Sequence, residues 1–499
     1  GQMVSYNRTV TQRGSMGDTS DYDDHGNSKF QEVDSGDGII KTTVSTFNNV
    51  IAADKWHLGR LTRSTVTHAI TGNTAATIVR VSAFEYDAAT GLLTKEIVEP
   101  DRSADPANHT LTTTYQHDAF GNRTSVSIAG GGMATRTTTT TYDPAAIGSS
   151  GINGRFPVRI TNAKGHSETF AYDQGFGVPT SQTGPNGLTT SWQYDAYGRK
   201  KREDRPDSTV TTWQYNWAHE MVSPGGQYHI AMESSGAPPS VTFYNNWGKE
   251  TASYTLNGGL SDGNARIVGK AIHYDVWGRP DKSSLPFYFG TLVDDSLQET
   301  ITNYDLVDRP SSVLSRHESI GGTWLTTLIA YDGLVTRTTN PKGQRTDTRK
   351  NMQGQVIEVI TNATAMASDD DRGHVQYGYD ATGNLQVTRV YRDGANYVET
   401  QINYDVRGRK ISMVDPDMGT WTYAYNAAGE LKSQTDAKGQ TTTMNYDDLG
   451  RLTSRVEPEG PTTWTYDTWK GKLHSVAGPL ERGKVYSETH LYDSLGRPT

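Results

Sequence analysis

Short runs crowded with Thr, Tyr, Val and Ile alternate along this chain with polar turns, and the turns share one pattern. In the clearest stretch, Asp436-Ala-Lys-Gly-Gln-Thr-Thr-Thr-Met-Asn-Tyr446-Asp447-Asp-Leu-Gly450-Arg451-Leu-Thr-Ser-Arg-Val456, two such runs flank the turn Asp447…Gly450. β-Branched and aromatic residues on both sides favour strands. An Asp in first place can bond the backbone two residues on, and a Gly in fourth place can take positive φ, as a type I turn with a G1 bulge demands. The same Asp-x-x-Gly-Arg spacing occurs at Asp195, Gly198 and Arg199, at Asp275, Gly278 and Arg279, and at Asp405, Gly408 and Arg409. The Arg begins the return strand and could pair with the turn Asp, a surface pair of about 0–1 kcal/mol. A second, looser turn separates the copies: Asn340-Pro341-Lys342-Gly343, Asp415-Pro416-Asp417-Met418-Gly419 and Glu457-Pro458-Glu459-Gly460. Pro presets one dihedral there and Gly permits the reversal. Each copy is therefore two strands and two reversals, and the expected fold is all-β, a long antiparallel meander. No stretch reads as a long amphipathic helix; Thr361–Asp369 is expected to be a loop.

A Tyr followed by Asp or Asn precedes each turn and recurs sixteen times between Tyr22 and Tyr492, including Tyr194, Tyr274, Tyr404 and Tyr446. The step is 21 residues from Tyr194 to Tyr215, from Tyr404 to Tyr425 and from Tyr425 to Tyr446, but near 30 from Tyr244 to Tyr274 and on to Tyr304. Such drift fits hairpins with unequal loops better than a helical repeat. His117-Asp118 and Phe47-Asn48 look like degenerate copies. Residues 1–80 are the least regular part and 81–499 the regular one. Since Tyr22-Asp23-Asp24-His25-Gly26-Asn27 still fits the pattern, one continuous body is expected.

The string Tyr-Asp-x-x-Gly-Arg, with Pro-x-Gly-x-Thr between copies, resembles the YD repeats of the RHS family. Trp56-His-Leu-Gly-Arg60 looks like a feature of RHS proteins related to the B component of bacterial ABC (Tc) toxins. The resemblance implies a β-strip spiralling into a hollow shell, of which this chain supplies part. In the family such a shell encloses a C-terminal toxic domain in bacterial toxins and interbacterial effectors, and a related shell occurs in animal teneurins. The self-cleaving aspartyl-protease core region of many members has no match here. Asp415-Pro416 belongs to an inter-repeat turn and is not carried over as a cleavage element.

Composition narrows the chemistry. Hydrophobic residues are only 34% of 499, a lean core for such a length, and charged residues are 21%. A net charge of −9 disfavours a nucleic-acid surface, which needs a basic stripe. No apolar run reaches the ~18–20 residues of a membrane span. Cysteine is absent, which excludes disulfides, thiol catalysis and Cys-ligated zinc. Gly1–Ser5 lacks the basic and apolar regions of a signal peptide. Leu495–Thr499 stops inside the repeat pattern, so a longer parent chain is expected.

Candidate sites fall away one by one. Asp21-Tyr-Asp23-Asp24-His25-Gly26…Glu32 approaches an EF-hand loop, but His25 stands where Asp or Asn belongs and the stretch coincides with a YD turn, so no calcium site is expected. Asp369–Asp371 reads as a solvated loop. His219-Glu220 and His317-Glu318 lack the second His of a zincin. Gly14-Ser15-Met16-Gly17 is too short for a nucleophile elbow, Gly175-Phe176-Gly177 lacks a dinucleotide fingerprint, and Gly130-Gly131-Gly132 reads as a flexible loop. The Tyr and Trp residues, Trp192, Trp213, Trp217, Trp247, Trp277, Trp421 and Trp464 among them, are expected to pack across strands with polar tips in water; carbohydrate binding is the alternative use. The expected function is a non-catalytic, cofactor-free and metal-free encapsulating segment of a secreted bacterial toxin. Its partners would be a toxic C-terminal domain or other toxin-complex subunits. A cell-surface adhesion or carbohydrate-binding module is the runner-up.

Overall fold

The computed structural model describes residues 8–10, 21–52, 54–217, 226–257, 266–288, 299–316, 323–362, 373–393, 395–481 and 484–499. Among them, 38 strands form one antiparallel sheet, a few more than the ~34 that two strands per copy imply. Helix is confined to two 3-10 turns, Pro100–Arg102 and Pro144–Ile147. Strands pair with their neighbours in sequence, so the chain is a meander throughout. One strand is interrupted: Pro280–Ser284 and Phe287–Tyr288 lie end to end along Arg266–Tyr274. Phe30–Asp34, Ile39–Ala52, Lys55–Ile70 and Asn73–Tyr86 pair in series with the rest, so the ladder crosses residue 80 without a break.

A meander of short strands is a ribbon with two rims. The Tyr-Asp turns lie along one rim and the looser turns along the other. The ribbon then coils until its YD rim meets the opposite rim of its own earlier part. Asn108 Nδ2 donates to the Tyr425 carbonyl, Arg407 to the His109 carbonyl, Arg136 to Glu430 and Asn186 to the Lys470 carbonyl, across 317, 298, 294 and 284 residues. One winding thus takes 284–317 residues. Roughly two dozen strands at ~4.8 Å make a circumference of ~120 Å and a midplane radius of ~19 Å.

A single sheet layer has no central core. Among the described residues the buried apolar ones are few: Val81, Val158, Phe243, Ala252, Ala381 and Ala427. Glu99, His109, Asp380, Ala381, Asn426 and Ala427 all lie where the two windings meet. A second buried group, Thr211, Phe243, Thr251 and Ala252, lies within the ribbon away from the seam.

Candidate functional site: the turn rim and its seam

The four quoted turns share one geometry. Gly198, Gly278, Gly408 and Gly450 have φ of 75°, 75°, 77° and 78°, and the pairing register shifts at each preceding Tyr, as a bulge requires. In the Asp447 turn, one carboxylate oxygen accepts from the Leu449 and Arg451 amides at 2.9 and 3.0 Å, and the other accepts from Arg451 Nε at 2.8 Å. Asp195, Asp275 and Asp405 accept from Arg199, Arg279 and Arg409 Nε at 2.7, 2.7 and 2.6 Å. For Asp195, Asp275 and Asp447, desolvation pushes the carboxyl up, but the turn amides and the Arg together hold it below the usual range.

The Tyr hydroxyls do not end in water, as side-chain packing alone suggested. Those named here donate to the carbonyl just after the preceding turn, which has five positions except at Asp173–Val178, where it has six. Tyr215 reaches Lys200, Tyr425 reaches Lys410 and Tyr466 reaches Leu452, at 3.0, 2.8 and 2.8 Å. Tyr194, Tyr274, Tyr404 and Tyr446 reach Pro179, Glu250, Leu385 and Leu431 in the same way. Burial pushes these four phenols up. The guanidiniums of Arg199, Arg279, Arg409 and Arg451 lie 4.2, 4.4, 5.2 and 4.3 Å from the ring centroids of Tyr215, Tyr304, Tyr425 and Tyr466. Asp holds Arg, Arg covers the next Tyr, and that Tyr bonds back to the first turn. Each cation–π contact contributes about 0.5–1 kcal/mol, so cohesion along the rim comes from repetition.

The rule also unites two motifs that looked separate. Tyr86 OH donates to the Leu61 carbonyl at 2.9 Å and Arg60 lies over its ring. Phe47-Asn48 and Gly59-Arg60 are therefore the two ends of one turn, opened by a long hairpin whose tip lies between Ala52 and Lys55.

The seam uses the later turns. Arg409 Nη2 and Arg407 Nη1 donate to the Ala107 and His109 carbonyls, and His109 lies between Asp105 and Asp405. Ala427 N donates to the Gly131 carbonyl at 2.9 Å. Arg136 and Glu430 form a two-pronged pair at 2.8 Å on each prong. Further along, Lys164 faces Asp448, His166 faces Asp467, and Lys470 is clasped by Asn186 and Pro185. Arg451 bridges Asp447 and Asp467, and this hydrogen bonding holds the Asp467 carboxyl down to about 2. The triple glycine is thus a close-approach point, contrary to its reading as a flexible loop. A Cβ on Gly130 would overlap that of Ala427, and one on Gly131 would overlap the Asn108 amide.

The acidic stretch near residue 21 is another turn of the same kind. Asp23 accepts from the His25 and Asn27 amides and from the Asn27 and Asn49 side chains, while Glu32 sits in the strand Phe30–Asp34. No cluster of three potential metal ligands occurs among the described residues. Gly14–Gly17, His219-Glu220, His317-Glu318 and Asp369–Asp371 lie outside the described residues, as does most of Thr361–Asp369.

These features define a YD-repeat shell: a turn rim held by Asp, Arg and Tyr, and a ribbon wound onto itself. The RHS Repeat family model matches residues 404–441 and 425–463, so these are RHS repeats and the chain has the RHS/YD-repeat shell fold. No curated protein matches. Among solved structures, the Photorhabdus luminescens Tc holotoxin pore with a substituted TccC3 is similar over 98% of this chain and 32% of its own, at 12% identity and a TM-score of 0.58. TcdB2-TccC3-TEV gives 98% and 40% coverage, 11% identity and a TM-score of 0.53; TcdB2-TccC3 without its hypervariable C-terminal region gives 98% and 37%, 11% and 0.52. The chain spans between about a third and two fifths of the chains it matches.

Proposed function

We propose that this chain is a non-catalytic wall segment of a secreted bacterial toxin shell, enclosing a toxic domain carried by the longer protein. The carrying observation is the seam: a ribbon that returns onto itself and bonds rim to rim is a wall rather than a surface groove. Sequential pairing leaves few free strand edges, and the seam covers turns that would otherwise lie open to proteases. The likeness to TcdB2-TccC3 shells, and the RHS repeats, support a toxin-complex setting. In this reading the Tyr-Asp-x-x-Gly-Arg residues are structural, and residues 1–80 join 81–499 in one wall.

Little more than one winding leaves both ends open, so the fragment cannot seal a chamber by itself. Allowing ~5 Å for the side-chain layer, the lumen radius is ~14 Å. The test is a protease challenge of the downstream domain, once in the full parent chain and once co-expressed with residues 1–499. Protection only in the full chain is expected. Digestion in both would overturn the encapsulation reading, and protection by residues 1–499 alone would overturn the open-ended wall.

A further inference from the structure

Asn-Gly pairs stand at Asn153, Asn186 and Asn257, and Asn186 belongs to the seam. It lies in the looser turn Gly184-Pro185-Asn186-Gly187 of the first winding, which the Gly187 amide closes by donating to the Gly184 carbonyl at 2.9 Å. Its side chain clasps the backbone of one residue in the second winding. Nδ2 donates to the Lys470 carbonyl and Oδ1 accepts from the Lys470 amide, both at 3.0 Å. Lys470 Nζ donates to the Pro185 carbonyl at 3.1 Å. An amide presents one donor group and one acceptor, which is what a peptide unit requires; a carboxylate presents acceptors alone. Lys470 is itself held in a tight turn. The Lys472 amide donates to the Trp469 carbonyl at 2.9 Å, Gly471 has a φ of 85° and Lys470 keeps a negative one, so this is a type II turn with Lys470 second.

Asparagine before glycine is prone to lose its side-chain amide, because glycine leaves its backbone nitrogen unshielded and its backbone free to turn. We propose that Asn186 is a deamidation site gated by the seam: closed windings hold its amide, and parted windings release it to react. The Gly187 backbone nitrogen attacks Asn186 Cγ, the Cγ–Nδ2 bond breaks, and ammonia leaves with the proton that the Gly187 nitrogen gives up. One water then opens the resulting succinimide at either carbonyl. The product is aspartate or, with the chain rerouted through the side-chain carbon, isoaspartate; nothing is oxidised or reduced. Gly187 is exposed and a Cβ built on it meets nothing within 4 Å, so the ring and the water have room. In the closed seam both amide atoms are committed to Lys470, and the Gly187 amide is committed to Gly184. Ring closure breaks all three bonds, so the windings must part first. Neither product restores the clasp. Aspartate sets an acceptor against the Lys470 carbonyl where a donor stood, and isoaspartate adds a methylene to the turn backbone. A transient opening thereby becomes permanent at this contact.

This inference rests on the winding geometry and stands apart from the encapsulation reading. The experiment incubates residues 1–499 in mildly alkaline buffer and follows Asn186 by peptide mass spectrometry, with aspartate and isoaspartate separated by chromatography. A synthetic peptide of residues 179–193 gives the unclasped rate. Asn186 in the protein should convert at least about tenfold more slowly, the scale that two net hydrogen bonds impose. Lys470→Pro removes the amide that Asn186 accepts and the ammonium at Pro185, while proline suits the second place of a type II turn. It should carry conversion most of the way to the peptide rate, whereas Lys470→Ala, which keeps the amide, should stay slow. A protein rate equal to the peptide rate would overturn the proposal. So would Lys470→Pro converting no faster than Lys470→Ala, since the turn alone would then protect Asn186. A separate readout uses the product itself: in Asn186→Asp, hydrogen exchange at residues 184–188 and 468–472 should speed up, and unchanged exchange would remove the permanent effect. Circular dichroism matching wild type shows that the variants are folded, and every one of these outcomes leaves the protease test untouched.

Discussion

The YD turns at 118–308 and at 380–472 have one backbone and two different surfaces. In both stretches the first residue accepts the amides two and four positions on, and in Gly-bearing copies a glycine holds the bulge. The third turn residue differs in exposure: Phe120, Tyr197, Trp247 and Trp277 stand exposed where the rim is open, while Thr382, Arg407 and Leu449 are half-buried where it is covered. The lesson is that Asp, Gly and Arg answer a local demand that every copy makes, whereas the tip residues answer a demand made by a partner hundreds of residues away. The winding, not the turn, decides the tip.

The contrast can be broken most forcefully at its ion pair. Arg136→Ala leaves Glu430 half-buried across the seam without its two-pronged partner, and should cost about 2–4 kcal/mol. Desolvation pushes the Glu430 carboxyl up while Arg136 holds it below its ordinary range, so the variant should also raise its titration. Hydrogen exchange should speed up at residues 130–136 and 426–430 while residues 189–204 keep their protection; unchanged exchange at the seam would contradict the assignment. Next comes Ala427→Leu. With no accessible surface at that tip, overpacking should cost about 1–3 kcal/mol in a denaturant titration.

Glycine sharpens the comparison. Gly450→Ala combines a φ of 78° with a Cβ placed 2.5 Å from Glu430 Oε1, so it should cost more than about 1 kcal/mol. Gly248→Ala, at φ 70° on the open rim, meets nothing nearer than the Tyr228 hydroxyl at 3.8 Å and should show only the backbone cost of about 1 kcal/mol. Equal denaturant midpoints for the two would argue against a covered rim.

Acid gives a smaller effect. Hydrogen bonding from Arg451 holds the Asp467 carboxyl down to about 2, below its ordinary 3.8, so the folded state binds its proton more weakly than the unfolded one. Its contribution is fully present above about pH 4 and is lost as pH falls toward 2. After solvent screening this is under about 1 kcal/mol. Asp467→Asn should flatten the stability profile in that window and leave the slope above pH 5 unchanged. Smallest of all is Trp247→Ser on the open rim, expected to shift stability by no more than about 0.5 kcal/mol; a larger loss would mean the tip is structurally engaged.

The hairpins were legible in the sequence because their signals are local: Asp447 and Gly450 lie three residues apart, and Thr and Tyr declare the strands beside them. The seam was not. Arg136 and Glu430 stand 294 residues apart, and nothing in either neighbourhood names the other. Gly130–Gly132 therefore looked like slack, and the Tyr hydroxyls looked bound for water, because their acceptors belong to the preceding copy. Phe47-Asn48 and Gly59-Arg60 escaped recognition as one turn because a hairpin grows between them.

Because each later turn grips a particular earlier one, the wound ribbon behaves as a gear train that keeps count of its own teeth. A repeat added near residue 300 would be harmless to its neighbours, since each hairpin reads only the strands beside it. It would nonetheless advance every downstream tooth by two strands, ~10 Å along the ledge, and set Glu430 opposite a different turn from the one that carries Arg136. Repeat number between the gripping points is therefore held in phase, while strands beyond them can be gained or lost freely. Length variation in chains of this design should collect outside the meshed arc or arrive as loop growth at a turn, as in the long hairpin between Phe47 and Arg60.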